Sequence, residues 1–265
     1  MQMAIAIGFL LRNARLPSPA PVVLRLYEAL ESGGAEDIAR IVEADPALTV
    51  RLLRLANSAF YGPLPVTTVR DAIIRVGTMD VAALGLASEV MRIFRGIPKG
   101  QFSMNDFWEH SLWTACYSEA LAPSAARRQS APIWLCGLLH DVGKLLLARN
   151  APAEYAQVLD QVGTGVVLLD AERETLGFTH AQVGAELLET WRLPTILVES
   201  TARHHEPYVA LDEPWSIVAA ANDLANETGG LEELQGVTPE SMKQVETEAR
   251  ELHASFCQLF REDFR

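Results

Sequence analysis

The chain has 265 residues, and 22 Lys and Arg against 34 Asp and Glu give it a formal net charge of −12. A chain this acidic is a poor match for nucleic acid or an anionic membrane, both of which attract basic surfaces. Hydrophobic residues make up 49% and charged residues 21% of the chain, which is typical of a globular protein and excludes global disorder.

Cysteine usage and the amino terminus indicate the compartment. Cys116, Cys136 and Cys257 form no CxxC pair and no even set, which disfavours a disulfide scaffold or a Cys-type zinc site and favours a reducing compartment. No apolar run reaches the roughly 18 residues of a membrane span. The apolar stretch at residues 1–11 has no basic residue before it and no clear cleavage site after it. We therefore expect a structured N-terminal element of a cytoplasmic protein rather than an export signal.

Apolar residues recur with a spacing near 3.6 through most of the chain, and runs of β-branched residues are few. This periodicity predicts a mainly α protein. Local signals support several helix ends: Asp45 precedes Pro46 as an N-cap, and Gly77 separates two helices. The predicted helices span residues 22–30, 35–42, 46–57, 69–76, 79–94, 105–122, 131–148, 152–162, 168–176, 179–191, 194–205, 215–227 and 239–260.

Glycine and proline clusters suggest how the chain divides. Gly96, Pro98 and Gly100 mark one boundary, and Gly229 with Gly230 marks another. We therefore expect an N-terminal helical lobe at residues 1–100, a second helical lobe at residues 101–230 and a C-terminal helix within residues 231–265.

Histidines and carboxylates of the second lobe follow the pattern of a metal site. The potential ligands are Asp106, His110, His140, Asp141, His180, His204, His205 and Asp223. Asp106 and His110 are four residues apart on one predicted helix and so point the same way. His140 and Asp141 are adjacent, and adjacent helical residues diverge by about 100°, so we expect this pair to bracket two metals.

The chemistry of these ligands suits divalent transition metals. Imidazole with carboxylate favours iron, manganese, cobalt, nickel or zinc. Eight groups are more than one octahedral ion takes, so the sequence predicts two ions that share a bridging hydroxide for attack on phosphorus.

Each of these residues also has a structural interpretation. His140, below an apolar run, fits a hydrogen-bonded core histidine, and Asp106 fits the first turn of a helix. Lys144 fits a solvated lysine after a turn, and His204 with His205 fits a helix C-terminus. Composition and spacing alone leave both interpretations open.

Several segments resemble a known family. Residues 137–144 read Gly-Leu-Leu-His-Asp-Val-Gly-Lys, which resembles the signature of the HD superfamily of metal-dependent phosphohydrolases. Upstream, residues 16–19, 41–48, 52–62 and 72–77 closely resemble the HDOD family, above all in the run Leu-Ala-Asn-Ser-Ala-Phe-Tyr-Gly. The resemblance covers about residues 15–225. It implies an all-α fold, with an N-terminal helical lobe packed on an HD-type helical core, in a bacterial signalling or regulatory protein.

The resemblance also implies a complete metal site. All eight positions that match the ligands of the related HD-GYP phosphodiesterases carry ligand-type residues, and Lys144 matches the lysine that follows the HD pair. In HD-GYP enzymes the paired histidines lead into a Gly-Tyr-Pro segment linked to cyclic di-GMP hydrolysis. Here His204 and His205 lead to Glu206 and then Pro-Tyr-Val, which argues against cyclic di-GMP as the substrate.

Two functions follow from these features. In the first, a regulatory protein binds a ligand in its metal-bearing lobe, and its N-terminal lobe passes the signal to a partner protein. The loop at residues 57–66, with Phe60 and Tyr61, is either a docking surface for that partner or a set of aromatics that caps the lobe core.

In the second, the protein is a metal-dependent phosphohydrolase or phosphodiesterase on a nucleotide or cyclic dinucleotide. Asp141 and Lys144 are then the predicted catalytic residues, with Lys144 stabilising charge that develops on the phosphoryl group. Glu206 is the one nearby candidate for a general acid. A third function, DNA binding by a helix-turn-helix-like segment at residues 68–94, is disfavoured by the nearly balanced charge of that segment.

Overall fold

The computed structural model describes residues 21–32, 34–62, 64–97, 102–122, 132–226 and 238–260. These ranges hold helices and connecting turns with no β-strand, so the predicted all-α fold is confirmed. The motif at residues 16–19, the predicted N-terminal element, and Pro98, Gly100, Gly229 and Gly230 lie outside the described residues. None of the helices in the described ranges is both long and apolar enough for a membrane span.

The helices follow the predicted order. Their bounds are α1 Pro21–Ser32, α2 Ala35–Glu43, α3 Pro46–Ala56, α4 Val69–Val76, α5 Thr78–Ile93, α6 Met104–Leu121, α7 Ile133–Leu139, α8 Val142–Asn150, α9 Pro152–Gly163, α10 Leu168–Leu176, α11 His180–Thr190, α12 Thr195–Arg203, α13 Pro214–Ala225 and α14 Pro239–Phe260, with a 3-10 turn at Ala59–Tyr61. Most ends lie within one or two residues of the prediction.

Local caps explain the helix starts in the N-terminal lobe, α1–α5. The Asp45 carboxylate accepts the N–H groups of Ala47 and Leu48 at 3.0 Å each, which satisfies two free donors at the start of α3. Gly77 joins α4 to α5 with a φ of 94°, a conformation that glycine adopts without strain. The stretch of α5 from Val81 to Ala87 is wholly buried, so α5 forms the centre of this lobe.

Helix α6 occupies the corresponding place in the second lobe, where it packs against α7, α13 and α14. The approach of α7 is close because Gly137 lacks a side chain. A Cβ at Gly137 would lie 2.7 Å from the carbonyl oxygen of Thr114 and 2.8 Å from the Cα of Ala115, both on α6. This contact brings the end of α7, and the residues that follow it, beside α6.

The single helix predicted over residues 131–148 is wrong, because the chain breaks between α7 and α8 at His140 and Asp141. Asp141 has φ −99° and ψ 11°, outside the helical region. Gly143 then packs directly on α11, where a Cβ would lie only 2.0 Å from the carbonyl oxygen of His180. The break turns both side chains inward: His140 Nε2 lies 3.3 Å from Asp141 Oδ2. The expected divergence of this pair, as neighbours on one helix, is therefore also wrong.

The N-terminal lobe contacts the second lobe through α5 with α7, and it contacts the C-terminal helix α14 through α3 and the 3-10 turn. Trp134 on α7 donates its Nε1–H to Asp80 Oδ1 on α5 at 2.7 Å. Arg149 on α8 donates to the carbonyl oxygen of Ile93 at 2.7 Å. The predicted division at residues 100 and 230 stays a prediction.

Candidate metal centre

The carboxylate of Asp141 is surrounded by four imidazoles. Its Oδ1 lies 3.1 Å from His180 Nε2 and 3.4 Å from His204 Nε2. Its Oδ2 lies 3.3 Å from His140 Nε2 and 3.7 Å from His110 Nε2. Asp141 is 1% exposed, so this carboxylate is a charge deep in the protein.

Buried Asp141 Oδ1 makes no hydrogen bond within the part of the chain that the structure describes. A buried carboxylate oxygen without a donor is costly unless a cation neutralises it. The ring nitrogens of the nearby imidazoles are not oriented to form a hydrogen bond with Asp141 Oδ1. A metal ion would satisfy this oxygen.

The ring nitrogens also face one another. His205 Nε2 lies 3.0 Å from His180 Nε2, which in turn lies 3.4 Å from His204 Nε2. The Nε2 atoms of His110 and His140 are 3.3 Å apart. Two nitrogens bound to one ion at about 2.1 Å would be separated by about 3.0–3.4 Å, so the observed spacings fit ligands of a common ion.

The ligand atoms form two overlapping groups among the described residues. One contains Asp141, His180, His204 and His205, and the other contains His110, His140 and Asp141; within each, the ligand atoms lie within 4.8 Å of one another. Asp141 belongs to both groups, as expected for a carboxylate that bridges two ions.

Hydrogen bonds at the opposite ring nitrogens hold the histidines in place. His140 Nδ1 lies 2.6 Å from the carbonyl oxygen of Gly137, and His204 Nδ1 lies 2.8 Å from that of Thr201. With Nδ1–H donating to a carbonyl, Nε2 keeps the lone pair that a metal needs.

Glu172 on α10 gives the same support to His180. Its fully buried carboxylate accepts from His180 Nδ1 at 2.8 Å and from the His180 backbone N–H at 2.9 Å. The sequence analysis missed Glu172. The sequence pattern that could have identified it is its position on the apolar face of α10, four residues after Leu168 and four before Leu176.

The environment sets the protonation states that ligands require. Burial and the neighbouring His140 lower the pKa of His110 to about 4, and burial lowers that of His204 to about 3. Burial would raise the pKa of Asp141, but His140, Lys144 and His180 overcome this effect and hold it well below its usual range. Neutral imidazoles beside an ionised carboxylate are the ligand forms at neutral pH.

The pKa of His180 shifts in the opposite direction. Burial and Lys144 lower its pKa, but the carboxylates of Asp141 and Glu172 outweigh them and raise it. Lys144, in the first turn of α8, places its Nζ 2.5 Å from Asp141 Oδ2, with 19% of its side chain exposed. Lys144 therefore lies between the carboxylate and solvent.

Two predicted ligands are not brought into either group. Asp106 is exposed, one turn before His110 on α6. Asp223 accepts the Tyr208 O–H at 2.8 Å. The buried neighbour of Asp223, Asn222, interacts with His110 and opposes part of the fall in the pKa of that histidine. The metal-binding roles of Asp106 and Asp223 therefore stay predictions.

Sequence comparison identifies the family to which this chain belongs. The HDOD domain family matches residues 16–207, which is more than half of the chain. The protein therefore belongs to the HDOD family.

Solved structures have the same fold. An HDOD domain protein of unknown function from Geobacter sulfurreducens has a TM-score of 0.77 at 23% identity, with 97% of each chain covered. A candidate phosphohydrolase from Shewanella amazonensis has a TM-score of 0.70 at 26% identity, covering 95% of this chain and 98% of the other. A candidate signal transduction protein from Marinobacter aquaeolei has a TM-score of 0.63 at 22% identity, covering 99% of this chain and 60% of the other.

A curated relative from Treponema pallidum, an uncharacterized protein, is 24% identical over 262 residues. The match covers 91% of this chain, which spans about half the length of that relative.

Proposed function

We propose that this chain is an HDOD regulatory protein whose second lobe binds two divalent transition-metal ions and, through them, a phosphate-bearing ligand. The observation that carries the proposal is the buried Asp141 Oδ1, which makes no hydrogen bond to any residue that the structure describes and lies 3.1 Å and 3.4 Å from the Nε2 atoms of His180 and His204. The proposed ligands are His110, His140, Asp141, His180, His204 and His205. Their set of imidazoles with one carboxylate suits iron, manganese, cobalt, nickel or zinc.

Bound metal ions would polarise phosphate oxygens and lower the pKa of a coordinated water. The protein supplies the geometry around them. Asp141 offers one oxygen to each group of histidines, and Glu172 fixes the ring of His180. Lys144, at the solvent side, would pair with a phosphate oxygen of the ligand.

Metal-dependent phosphohydrolysis is the second candidate function. Its support is the position of Lys144 beside a ligand carboxylate, together with the similarity to a candidate phosphohydrolase at 26% identity. The predicted general acid receives little support: Glu206 is half-exposed and pairs with Arg203 Nε at 2.9 Å. Because Glu206, the predicted proton donor, receives little support, the regulatory function is the better proposal.

A partner protein that binds the N-terminal lobe would receive the signal. In the predicted docking loop, Tyr61 packs against the hydrophobic core, which supports the capping role for this residue, whereas Phe60 is 37% and Leu64 71% exposed. DNA as the partner receives no support, because α5, the would-be recognition helix, is buried along its middle. Three free thiols support a reducing compartment such as the cytoplasm.

A turnover assay distinguishes the two functions. Metal-loaded protein is incubated with bis(p-nitrophenyl) phosphate, mononucleotides and cyclic dinucleotides, and binding of the same compounds is followed by calorimetry. The regulatory proposal expects metal-dependent binding without turnover. Turnover that disappears in Asp141→Asn would establish the hydrolase instead, and neither binding nor turnover in metal-loaded protein would overturn both.

A further inference from the structure

A cavity of about 200 Å³ lies where the N-terminal lobe, helices α6 and α7 of the second lobe and the C-terminal helix meet. Three aliphatic and four aromatic side chains form most of its lining. The aromatic side chains are Phe60 and Tyr61 from the 3-10 turn, Trp134 from α7 and Phe256 from α14. We call this space the interlobe cavity.

The aromatic rings of the interlobe cavity are inclined to one another. The Phe60 and Tyr61 rings have centroids 5.0 Å apart and planes 87° apart, and the Trp134 and Phe256 rings have centroids 5.2 Å apart and planes 58° apart. Inclined rings of this kind can surround a small ligand on several sides, as the aromatic cages that bind organic cations do. Phe60 also keeps solvent exposure, so the cavity is not sealed at the 3-10 turn.

Two carboxylates, Asp80 on α5 and Glu119 on α6, complete the lining, which contains no Lys, Arg or His among the residues that the structure describes. Asp80 accepts the indole N–H of Trp134 at 2.7 Å. Because the indole is neutral, this hydrogen bond does not cancel the charge of the carboxylate. Burial and the charges of both acids raise the pKa of Tyr61, so the two carboxylates act on the same space. The described lining is therefore aromatic and negatively charged.

The size and charge of the interlobe cavity together define its ligand. A water molecule takes up about 30 Å³ in the liquid, whereas pockets for drug-sized ligands measure about 300–1,000 Å³, so the cavity suits a small molecule. A hard metal ion needs about six or more oxygen ligands, and this lining offers it mostly carbon. A weakly hydrated cation with methyl groups instead gains from both the aromatic faces and a carboxylate.

We propose that the interlobe cavity binds a small organic cation with a methylated ammonium group, held by Asp80 and by the surrounding aromatic rings. The cavity shares no residue with the Asp141 centre, so this proposal does not depend on metal binding. Because both lobes and the C-terminal helix contribute to the lining, a bound cation would strengthen the contact that Trp134 and Asp80 already make between the lobes.

Calorimetric titration of the full chain with choline and with 3,3-dimethylbutan-1-ol tests the proposal, because the two molecules have nearly the same shape and only choline carries a positive charge. We expect one equivalent of choline to bind, and the neutral alcohol to bind about 10-fold more weakly or less. We expect Asp80→Asn, which keeps an acceptor for Trp134, to lower the affinity for choline about 10-fold or more. Asp212→Asn on the exposed surface and Asp141→Asn leave this affinity unchanged.

A second variant, Phe60→Leu, tests the aromatic contribution at an exposed position. It keeps an apolar side chain but removes a π face, so we expect the affinity for choline to fall about 2- to 5-fold while the affinity for the neutral alcohol stays the same. The absence of choline binding at millimolar concentrations in folded wild-type protein would overturn the proposal. Equal affinities for choline and the alcohol, or an unchanged choline affinity in Asp80→Asn, would also overturn it and leave the bond between Asp80 and Trp134 as a plain contact between the lobes.

Discussion

At the scale of single residues, the candidate metal centre depends on a buried carboxylate that the protein alone stabilises poorly. Asp141 has Lys144 on one oxygen, while its other oxygen lacks a hydrogen bond within the described residues. The surrounding histidines are held with Nε2 inward by partners at Nδ1. Both features are expected of a site built for a cation, and neither is needed for a packed core.

The positioning role of Glu172 is a direct test at this scale. We predict that Glu172→Gln weakens metal binding about 10- to 100-fold, because the neutral amide holds the His180 ring less strongly. Competitive titration with a fluorescent chelator measures this change. The control is Glu174→Gln on the exposed face of the same helix, which leaves the affinity unchanged. Equal affinities in the two variants would contradict the role of Glu172.

Residue-scale patterns in the sequence predicted part of this site. The histidines and Asp141 were predicted as ligands, and the structure brings them together. Glu172 and Asn222 were missed, because their roles depend on contacts with His180 and His110 on other helices. The choice between Asn222 and Asp223 depends on the rotation of α13, which its run of alanines does not specify.

At the scale of helices, the close contact between α8 and α11 sets the geometry of the site. Gly143 and Gly184 bring the two backbones together, and a Cβ at Gly184 would lie 3.0 Å from the Gly143 nitrogen. This contact places His180, at the start of α11, beside Asp141, just before α8.

We predict that Gly143→Ala lowers the free energy of unfolding by about 3 kcal/mol or more and weakens metal binding. Its Cβ would lie 2.0 Å from a backbone oxygen, so one helix must move. Urea unfolding measures the loss. The matched control is Gly163→Ala, which meets no atom within 4 Å at the end of α9 and changes stability by less than about 1 kcal/mol. Similar stabilities for the two variants would contradict the packing account.

Helix ends were predictable where their signals are local. The N-cap Asp45 and the Gly77 break lie in the sequence next to the ends that they define. The break between α7 and α8 was not predicted, because its cause is the contact of Gly143 with a helix that follows more than 30 residues later. Periodicity reports the buried face of a helix, and it does not report a tertiary contact of this kind.

At the scale of the whole molecule, the two lobes meet around a partly buried acid, Asp80. Asp80 accepts from Trp134 and lines a pocket of about 200 Å³ with Tyr61 and Glu119. Burial raises the pKa of Asp80 from 3.8 to about 6, and the Trp134 hydrogen bond opposes only part of this shift. The folded protein therefore holds the proton more tightly than the unfolded chain does.

We predict that ionisation of Asp80 lowers the free energy of unfolding as the pH rises. Because the folded pKa is raised, the penalty is absent below pH 3.8, grows as the pH rises to about 6 and persists above it. At pH 7 it amounts to about 3 kcal/mol. Asp80→Asn removes the penalty and keeps an acceptor for Trp134, so it raises the free energy of unfolding at pH 7 but not at pH 4.

Urea unfolding at the two pH values measures this difference, with Asp212→Asn on the exposed surface as control. A stabilisation by Asp80→Asn that is equal at pH 4 and pH 7 would show that ionisation of Asp80 carries no cost.

The central claim is that two metal ions share Asp141, and elemental mass spectrometry tests it most directly. The protein is purified without tag or chelator. We predict about two transition-metal ions per chain, lost when Asp141→Asn is added, with the circular dichroism spectrum unchanged. A folded protein without metal, or a metal content unaffected by Asp141→Asn, would contradict the account.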